Sequence, residues 1–431
     1  MFWPPKAGSP GLANVQGVLV GVDPDDELRT VDQALSKLTS ILDRLPDAVA
    51  AEVRAKISHL LTMLEDRRHP RVMMVGRRGA GKSQMTNALF SSPVRETGAY
   101  RAQTGKAEWE ICEISGRQVE ILDTRGVQEG STPAEEDPEK TAEESLLAAI
   151  QIKCPDVILF LVKATEVDAA ITGDLSALEL VHREAMRVHE TAVRIIPVLT
   201  HCDALHPADI RFPPHDSEDA EKMGNVMGAS RILTRHLKSS AYLSQYVSGG
   251  VVPTSALVFF EGSEVNPRRD YRWNIDRLAL RMQEVLPDET QLSFVRLAQF
   301  RVVQKRTARS VVATTAVASG VIGLQPIPFA DYPFITGLQV LMIIVIAYIA
   351  GREISLSSAR QLLTGLGVNI GVGLGFREVA RALVKLLPAA GNAASGAIAA
   401  AGTKAIGEAA VAYFIDKQPL SVARERFESG G

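Results

Sequence analysis

One segment limits what this chain can fold into more than any other: Gly76-Arg77-Arg78-Gly79-Ala80-Gly81-Lys82-Ser83. It lies between an apolar run, RVMMV, that reads as a strand and a stretch, QMTNALF, that reads as a helix. Gly76, Gly79 and Gly81 let the backbone curl so that its N–H groups point inward at phosphate oxygens. Lys82 adds a positive charge for the β- and γ-phosphates, and the Ser83 hydroxyl suits a magnesium ion. Ala80 and Gln84 complete the set of loop and helix-start residues expected around a bound nucleotide.

Such a strand, loop and helix needs a parallel sheet to stand in. Short apolar runs at Val72–Val75, Val119–Leu122, Val157–Val162 and Val193–Leu199 alternate with helical stretches between Arg71 and about Leu286. That alternation predicts an α/β domain over residues 70–286, a mostly parallel sheet with helices on both faces. Residues 1–24 are rich in Pro and Gly and read as a flexible tail without a secretory signal. Residues 25–69 read as a helical hairpin, with Leu28, Val31, Leu35, Leu38, Leu42 and Leu45 lining one face and Pro46 ending the first helix. Its apolar stripe needs a covering partner. Residues 287–431 read as a helical, very apolar domain.

Two strand ends carry further chemistry. Asp123-Thr124-Arg125-Gly126 follows Val119–Leu122, where Asp123 can hold magnesium through water and Gly126 can offer its N–H to a γ-phosphate. Thr104, in a polar stretch before a strand, is either a second hydroxyl ligand of magnesium or an ordinary loop threonine. Thr200-His201-Cys202-Asp203 follows Val193–Leu199, and a carboxylate at Asp203 can accept from N1 and N2 of guanine, donors that adenine does not present together. Thr254-Ser255-Ala256 follows the short strand Val251–Val252 and suits a turn whose backbone touches the base oxygen. The expected site therefore holds GTP or GDP with Mg²⁺. Ser83, Thr104 and Asp123 face the metal, and Thr200, His201, Asp203, Ser255 and Ala256 surround the base.

In this order the motifs resemble those of the translation-factor-related (TRAFAC) class of P-loop GTPases, in its Era-like and dynamin-like branches. The resemblance covers about residues 70–286 and implies hydrolysis of GTP, with guanine nucleotide and Mg²⁺ as ligands. His201 stands where that family places a lysine against the base. Val127 stands where small signalling GTPases place a water-orienting glutamine. Arg78 occupies the loop position that holds a catalytic glutamine in dynamin-like proteins, so the resemblance makes Lys82, Thr104 and Arg78 the catalytic candidates.

Between Ser310 and Gly351 the only charged residue is Asp331. Val311–Ala330 and Tyr332–Gly351 are each long enough, at about 1.5 Å per residue, to cross roughly 30 Å of hydrocarbon. Arg296, Arg301, Lys305, Arg306 and Arg309 precede the first and Arg352 follows the second, which fits a hairpin entering from the cytoplasmic side. Gly367, Gly371 and Gly375, and the Ala/Gly-rich Gly391–Gly407, allow close helix contacts in lipid or in a soluble bundle. This region resembles the C-terminal domain of bacterial YcjF-type proteins. The whole order also resembles immunity-related GTPases, in which N- and C-terminal helices join in one domain. That architecture would cover the N-terminal stripe.

A net charge of −3 shows no sign of a nucleic-acid-binding surface, so no nucleic-acid contact is expected. Three scattered cysteines fit a reducing compartment. The expectation is a GTP-hydrolysing switch or mechanochemical protein at the cytoplasmic face of a membrane, contacting lipid and forming a nucleotide-dependent homodimer or oligomer. The alternatives are a soluble GTPase whose bundle docks a protein or ribosomal partner, and a nucleotide-binding scaffold with negligible turnover.

Overall fold

The structure, a computed structural model, describes residues 45–65, 68–94, 108–114, 117–123, 142–168, 171–210, 220–324, 331–352 and 396–430, with positions 36, 39, 40, 42, 43, 212, 359, 362 and 366. Strands β1 (Arg71–Val75), β2 (Trp109–Ile114), β3 (Arg117–Asp123), β4 (Val157–Lys163), β5 (Arg194–Thr200) and β6 (Val252–Pro253) form one sheet. Its spatial order is β2-β3-β1-β4-β5-β6. β2 pairs antiparallel with β3, and the other pairings are parallel. The expected strand at Val193–Leu199 is shifted by one residue, and the one at Val251–Val252 becomes Val252–Pro253. A hairpin of β7 (Val258–Glu261) and β8 (Glu264–Asp270) was not anticipated.

Because successive strand side chains face opposite sides, each buried strand feeds two cores. Val72, Met74, Leu159, Leu161 and Val198 enter one, and Met73, Val75, Phe160, Val162 and Leu199 the other. The second core is closed by α3 (Ala142–Ile152), α4 (Ile171–His189) and α5 (Ala220–Ser239). The first is closed by α2 (Lys82–Phe90) and α6 (Ile275–Val285), and runs without a break into the helical part.

That part contains α1 (Asp47–Glu65), α7 (Asp288–Ala298), α8 (Arg301–Gly323), α9 (Asp331–Ile349), α10 (Gly396–Ala410), a π-turn (Val411–Ile415) and α11 (Leu420–Gly430). Helix α1 starts after Pro46, whose carbonyl accepts the N–H of Ala50 at 2.9 Å. Its Val53, Ile57, Leu60 and Leu64 are at most 2% exposed, and burial of each contributes about 1.5–3 kcal/mol. It packs on α7 and α8, so the described second helix of the N-terminal hairpin is covered by C-terminal helices, and Leu42 and Leu45 of the first-helix stripe join the same core. Of the first-helix positions, Leu28, Val31, Leu35 and Leu38 lie outside the described residues, as does the tail.

Two features of the apolar region bear on the membrane expectation. Helix α8 begins at Arg301 rather than Val311, so Arg301, Lys305, Arg306 and Arg309 lie within it, and three of them bond to protein. Arg301 donates to the carbonyls of Ile415 and Asp416. Lys305 pairs with Asp416 at 2.6 Å and Arg306 with Glu284 at 2.5 Å. Arg296, 2% exposed, lies 3.8 Å over the Tyr348 ring. The other feature concerns α9. Every residue from Phe334 to Ile349 is buried against protein, and that apolar run is shorter than a membrane span. Among the described residues, the helix long and apolar enough to cross a membrane is instead Gly396–Ile415, with mean hydropathy 1.3 and 61% of its window buried. A core helix meets the same criterion. Glycines bring α10 and α8 together. A Cβ on Gly396 would lie 2.3 Å from the Gly320 carbonyl, and one on Gly407 would lie 2.5 Å from Val312. Gly367, Gly371 and Gly375 lie outside the described residues.

Candidate functional site

In an open parallel sheet a ligand sits at the carboxyl ends of the strands, where the connections turn to opposite sides. Here β1 lies between β3 and β4, so the loop leaving β1 opens over that point. Residues 76–81 form the loop and α2 begins at Lys82. Gly76 runs so close to β4 that a Cβ would meet the Leu161 carbonyl at 2.5 Å. Gly79 and Gly81 have φ of 77° and 85°, the left-handed region that side chains resist. The Lys82 ammonium is buried and donates to the carbonyls of Gly76 at 2.7 Å and Arg77 at 3.0 Å, which draws the loop around it. Ser83 and Gln84 occupy the first turn of α2, half-buried.

Thr200 is buried and spends its hydroxyl on the protein. It donates to the Ala80 carbonyl at 2.9 Å, with the Val162 carbonyl at 3.3 Å. It therefore staples the end of β5 to the phosphate loop. His201 has φ 54°, and its Nδ1 lies 3.1 Å from the Thr200 hydroxyl. Its ring fills the space beside Gly81, where a Cβ would come within 2.9 Å of Cε1. Burial, assisted by Lys163, pushes the His201 imidazole below its ordinary pKa, against the opposing pull of Asp203 and Glu166. Asp203 lies in the short turn Cys202–Ala204. The Cys202 N–H donates to the Thr254 carbonyl at 3.2 Å, joining the two loops expected at the base. The Cys202 thiol, pushed up to about 12 by burial, is inert. Ser255 is fully buried and exchanges backbone hydrogen bonds with Trp273. Its hydroxyl has no hydrogen-bond partner among the described residues. Ala256 follows, also buried.

Residues 76–84, 200–203, 255 and 256 thus gather at one end of the sheet. Asp123 ends β3 beside Met74 of β1. Thr104 and Gly126 lie outside the described residues. The arrangement fits a magnesium nucleotide. Gly76 and Gly81 leave room where a Cβ would intrude, a lysine is held inside the loop, and an orphaned serine hydroxyl lies in the loop expected at the base.

A shallow cleft at the mouth is lined by residues including Arg77, Arg78, Lys163, Glu166 and Asp174. Arg78 is exposed there, and Arg77 donates to the buried Asp174 at 2.8 Å. Lys163 bonds Glu166 at 2.7 Å and holds its carboxyl below the usual range. Lys163, Glu166 and Asp174 were not anticipated. The signal for Lys163 was available, since it is the first polar residue after the apolar run Val157–Val162.

The sequence comparisons fall on these same segments. Residues 71–198 match the family described as 50S ribosome-binding GTPase. The chain carries a P-loop GTPase domain. Residues 296–426 match a domain of unknown function, DUF697, so the GTPase domain is followed by the YcjF-like helical domain. Over 111 residues the chain is 31% identical to translocase of chloroplast 90 of Arabidopsis thaliana, a match spanning 26% of this chain and 14% of that protein. The fold is similar to Toc33 of Arabidopsis thaliana (16% identity, TM-score 0.34, 57% of this chain and 94% of that one). It is also similar to Era of Aquifex aeolicus bound to GDP·AlF₄⁻ (21% identity, TM-score 0.30, 58% and 67%).

Proposed function

We propose that this chain binds GTP with Mg²⁺ and hydrolyses it to GDP and phosphate, as a switch or mechanochemical protein acting at the cytoplasmic face of a membrane. The observation that carries the nucleotide reading is the phosphate loop. Its lysine is gripped by loop carbonyls, and Thr200 ties it to the base-side turn. In this reading the loop N–H groups and Lys82 hold the β- and γ-phosphates. Ser83, Asp123 and Thr104 hold the metal, which would neutralise charge that develops during phosphoryl transfer. Gly126 contacts the γ-phosphate. His201 packs beside the base and Asp203 accepts from its N1 and N2, with Ser255 and Ala256 closing the pocket. Arg78, exposed at the mouth, serves as the catalytic cation within one chain or across a nucleotide-dependent homodimer.

The test is hydrolysis and competition binding by the purified chain. Lys82→Ala is expected to abolish nucleotide binding or hydrolysis, and Asp203→Asn to shift preference from guanine toward xanthine. Equal affinity of the wild type for ATP and GTP defeats the guanine assignment.

Burial of Phe334–Ile349 favours a second reading of the location. In it, the helical domain is a soluble bundle that relays the nucleotide state to a protein or ribosomal partner. The membrane reading requires the bundle to open and present α9 or the Gly396–Ile415 helix to lipid.

A further inference from the structure

Lysine is rarely buried, because its ammonium must recover inside the protein the hydrogen bonds it made to water. Lys222, in the first turn of α5, is 0% exposed. Its ammonium donates to three main-chain carbonyls, of Asp203 at 2.7 Å, Pro207 at 2.9 Å and Ile210 at 2.7 Å. All three belong to the loop that starts at the base-side turn. Asn225, one helical turn along, donates to a fourth carbonyl of the same loop, His206, at 2.8 Å. The Lys222 ammonium also lies 5.2 Å from the centre of the buried Phe212 ring. Phe212 packs on Trp273 with ring centres 4.7 Å apart. Trp273 exchanges both backbone hydrogen bonds with Ser255. One ammonium therefore stands at the junction of the two loops that carry Asp203 and Ser255.

We infer that Lys222 is a positioning residue for base specificity. By collecting the carbonyls of residues 203–210 it fixes the direction of the Asp203 carboxylate, and through Phe212 and Trp273 it fixes the Ser255 loop opposite. A carboxylate that must accept two donors from one base edge tolerates little rotation. The inference rests on the reading of Asp203 as the base contact. It adds that the geometry of this contact is set from α5, outside the recognised motifs.

The experiment measures binding of fluorescent GDP, ADP and XDP to the full chain. Lys222→Met keeps the stem and removes the donors. GDP affinity is expected to fall about tenfold or more, the scale of one charge-assisted hydrogen bond. ADP, which depends on the phosphate loop alone, is expected to lose much less, so the GDP-over-ADP ratio collapses. A merely structural role lowers both affinities together and leaves the ratio unchanged, which overturns the inference. Asp203→Asn is the parallel arm. If it leaves the preference between GDP and XDP unaltered, the base reading itself fails and the inference with it. If it shifts the preference while Lys222→Met keeps the wild-type ratio, only the role of Lys222 is overturned. Should Lys222→Met not fold, Asn225→Ala decides, since that residue is exposed and tethers the same loop. A two- to threefold fall in the ratio, about one weak hydrogen bond, supports the inference, and an unchanged ratio overturns it.

Discussion

Replacing Gly76 by alanine adds a single methyl group at the point where the phosphate loop leaves the sheet. Its Cβ would stand 2.5 Å from the Leu161 carbonyl oxygen, whereas real Cβ contacts essentially never fall below 3.0 Å. The obstacle is backbone in β4, paired on both sides with β1 and β5, and no side chain can swing away. The two strands must therefore part by at least about 0.5 Å, a strain of the overpacking kind that costs about 1–3 kcal/mol. Part of that strain reaches the Gly76 carbonyl, which receives the Lys82 ammonium. The expected result is a melting temperature lowered by about 2–12 °C and a GDP dissociation constant raised by about 5- to 150-fold if the strain is relieved at the loop. Gly79→Ala is the contrast. That site has open space within 4 Å but a φ of +77°, so its cost is the conformational one of about 1–2 kcal/mol. Thermal melts with and without GDP, alongside fluorescent-GDP titrations, separate the two. A Gly76→Ala protein with wild-type melting and affinity refutes the steric argument and the geometry on which it rests.

Arg78→Ala is expected to lower turnover by about 10³–10⁵ if the arginine is the catalytic cation; unchanged turnover and unchanged dependence on protein concentration remove it from that role. Vesicles containing anionic lipid are expected to sediment the GTP-loaded chain more than a version lacking residues 311–351, and equal recovery in the supernatant decides for the soluble bundle. His182 is fully buried between the Tyr242 hydroxyl and the Val193 carbonyl. Burial lowers its pKa from the ordinary 6.5. The unfolded chain therefore binds the proton first on acidification, so stability is full above pH 6.5 and is lost as pH falls below it. Denaturant midpoints of His182→Gln are expected to vary less over that window, and an identical pH profile excludes His182 as a source of acid sensitivity.

The loop Gly76–Ser83 was legible because its function dictates residue types at fixed spacing, and the buried strands because parallel strands with both faces covered read as continuous apolar runs. Thr200 was legible as a site position but not as a staple, since its partner, Ala80, is remote in sequence. Lys222 gave no local signal at all: a lysine in an amphipathic helix reads as solvated until the fold brings three carbonyls to it. The β7–β8 hairpin did leave a trace, a glycine opening the two-residue turn Gly262–Ser263, of the kind that favours tight hairpins. Whether Tyr332–Gly351 meets lipid was not legible in the sequence, for a general reason. A helix buried by protein and a helix buried by lipid need the same apolar content, and only tertiary neighbours distinguish them.

The seclusion of α9 has a consequence in time as well as space. Its neighbours α7 and α8 are made before it, but α10 and the π-turn that close over it come later in the chain. At about 5–20 residues per second, the ribosome needs roughly 3–13 s after Ile349 to reach Ile415. For those seconds the most apolar of the described helices lacks the cover of α10 and the π-turn. During synthesis, though not after it, this stretch competes for whatever in the cell attends to naked hydrophobic helices.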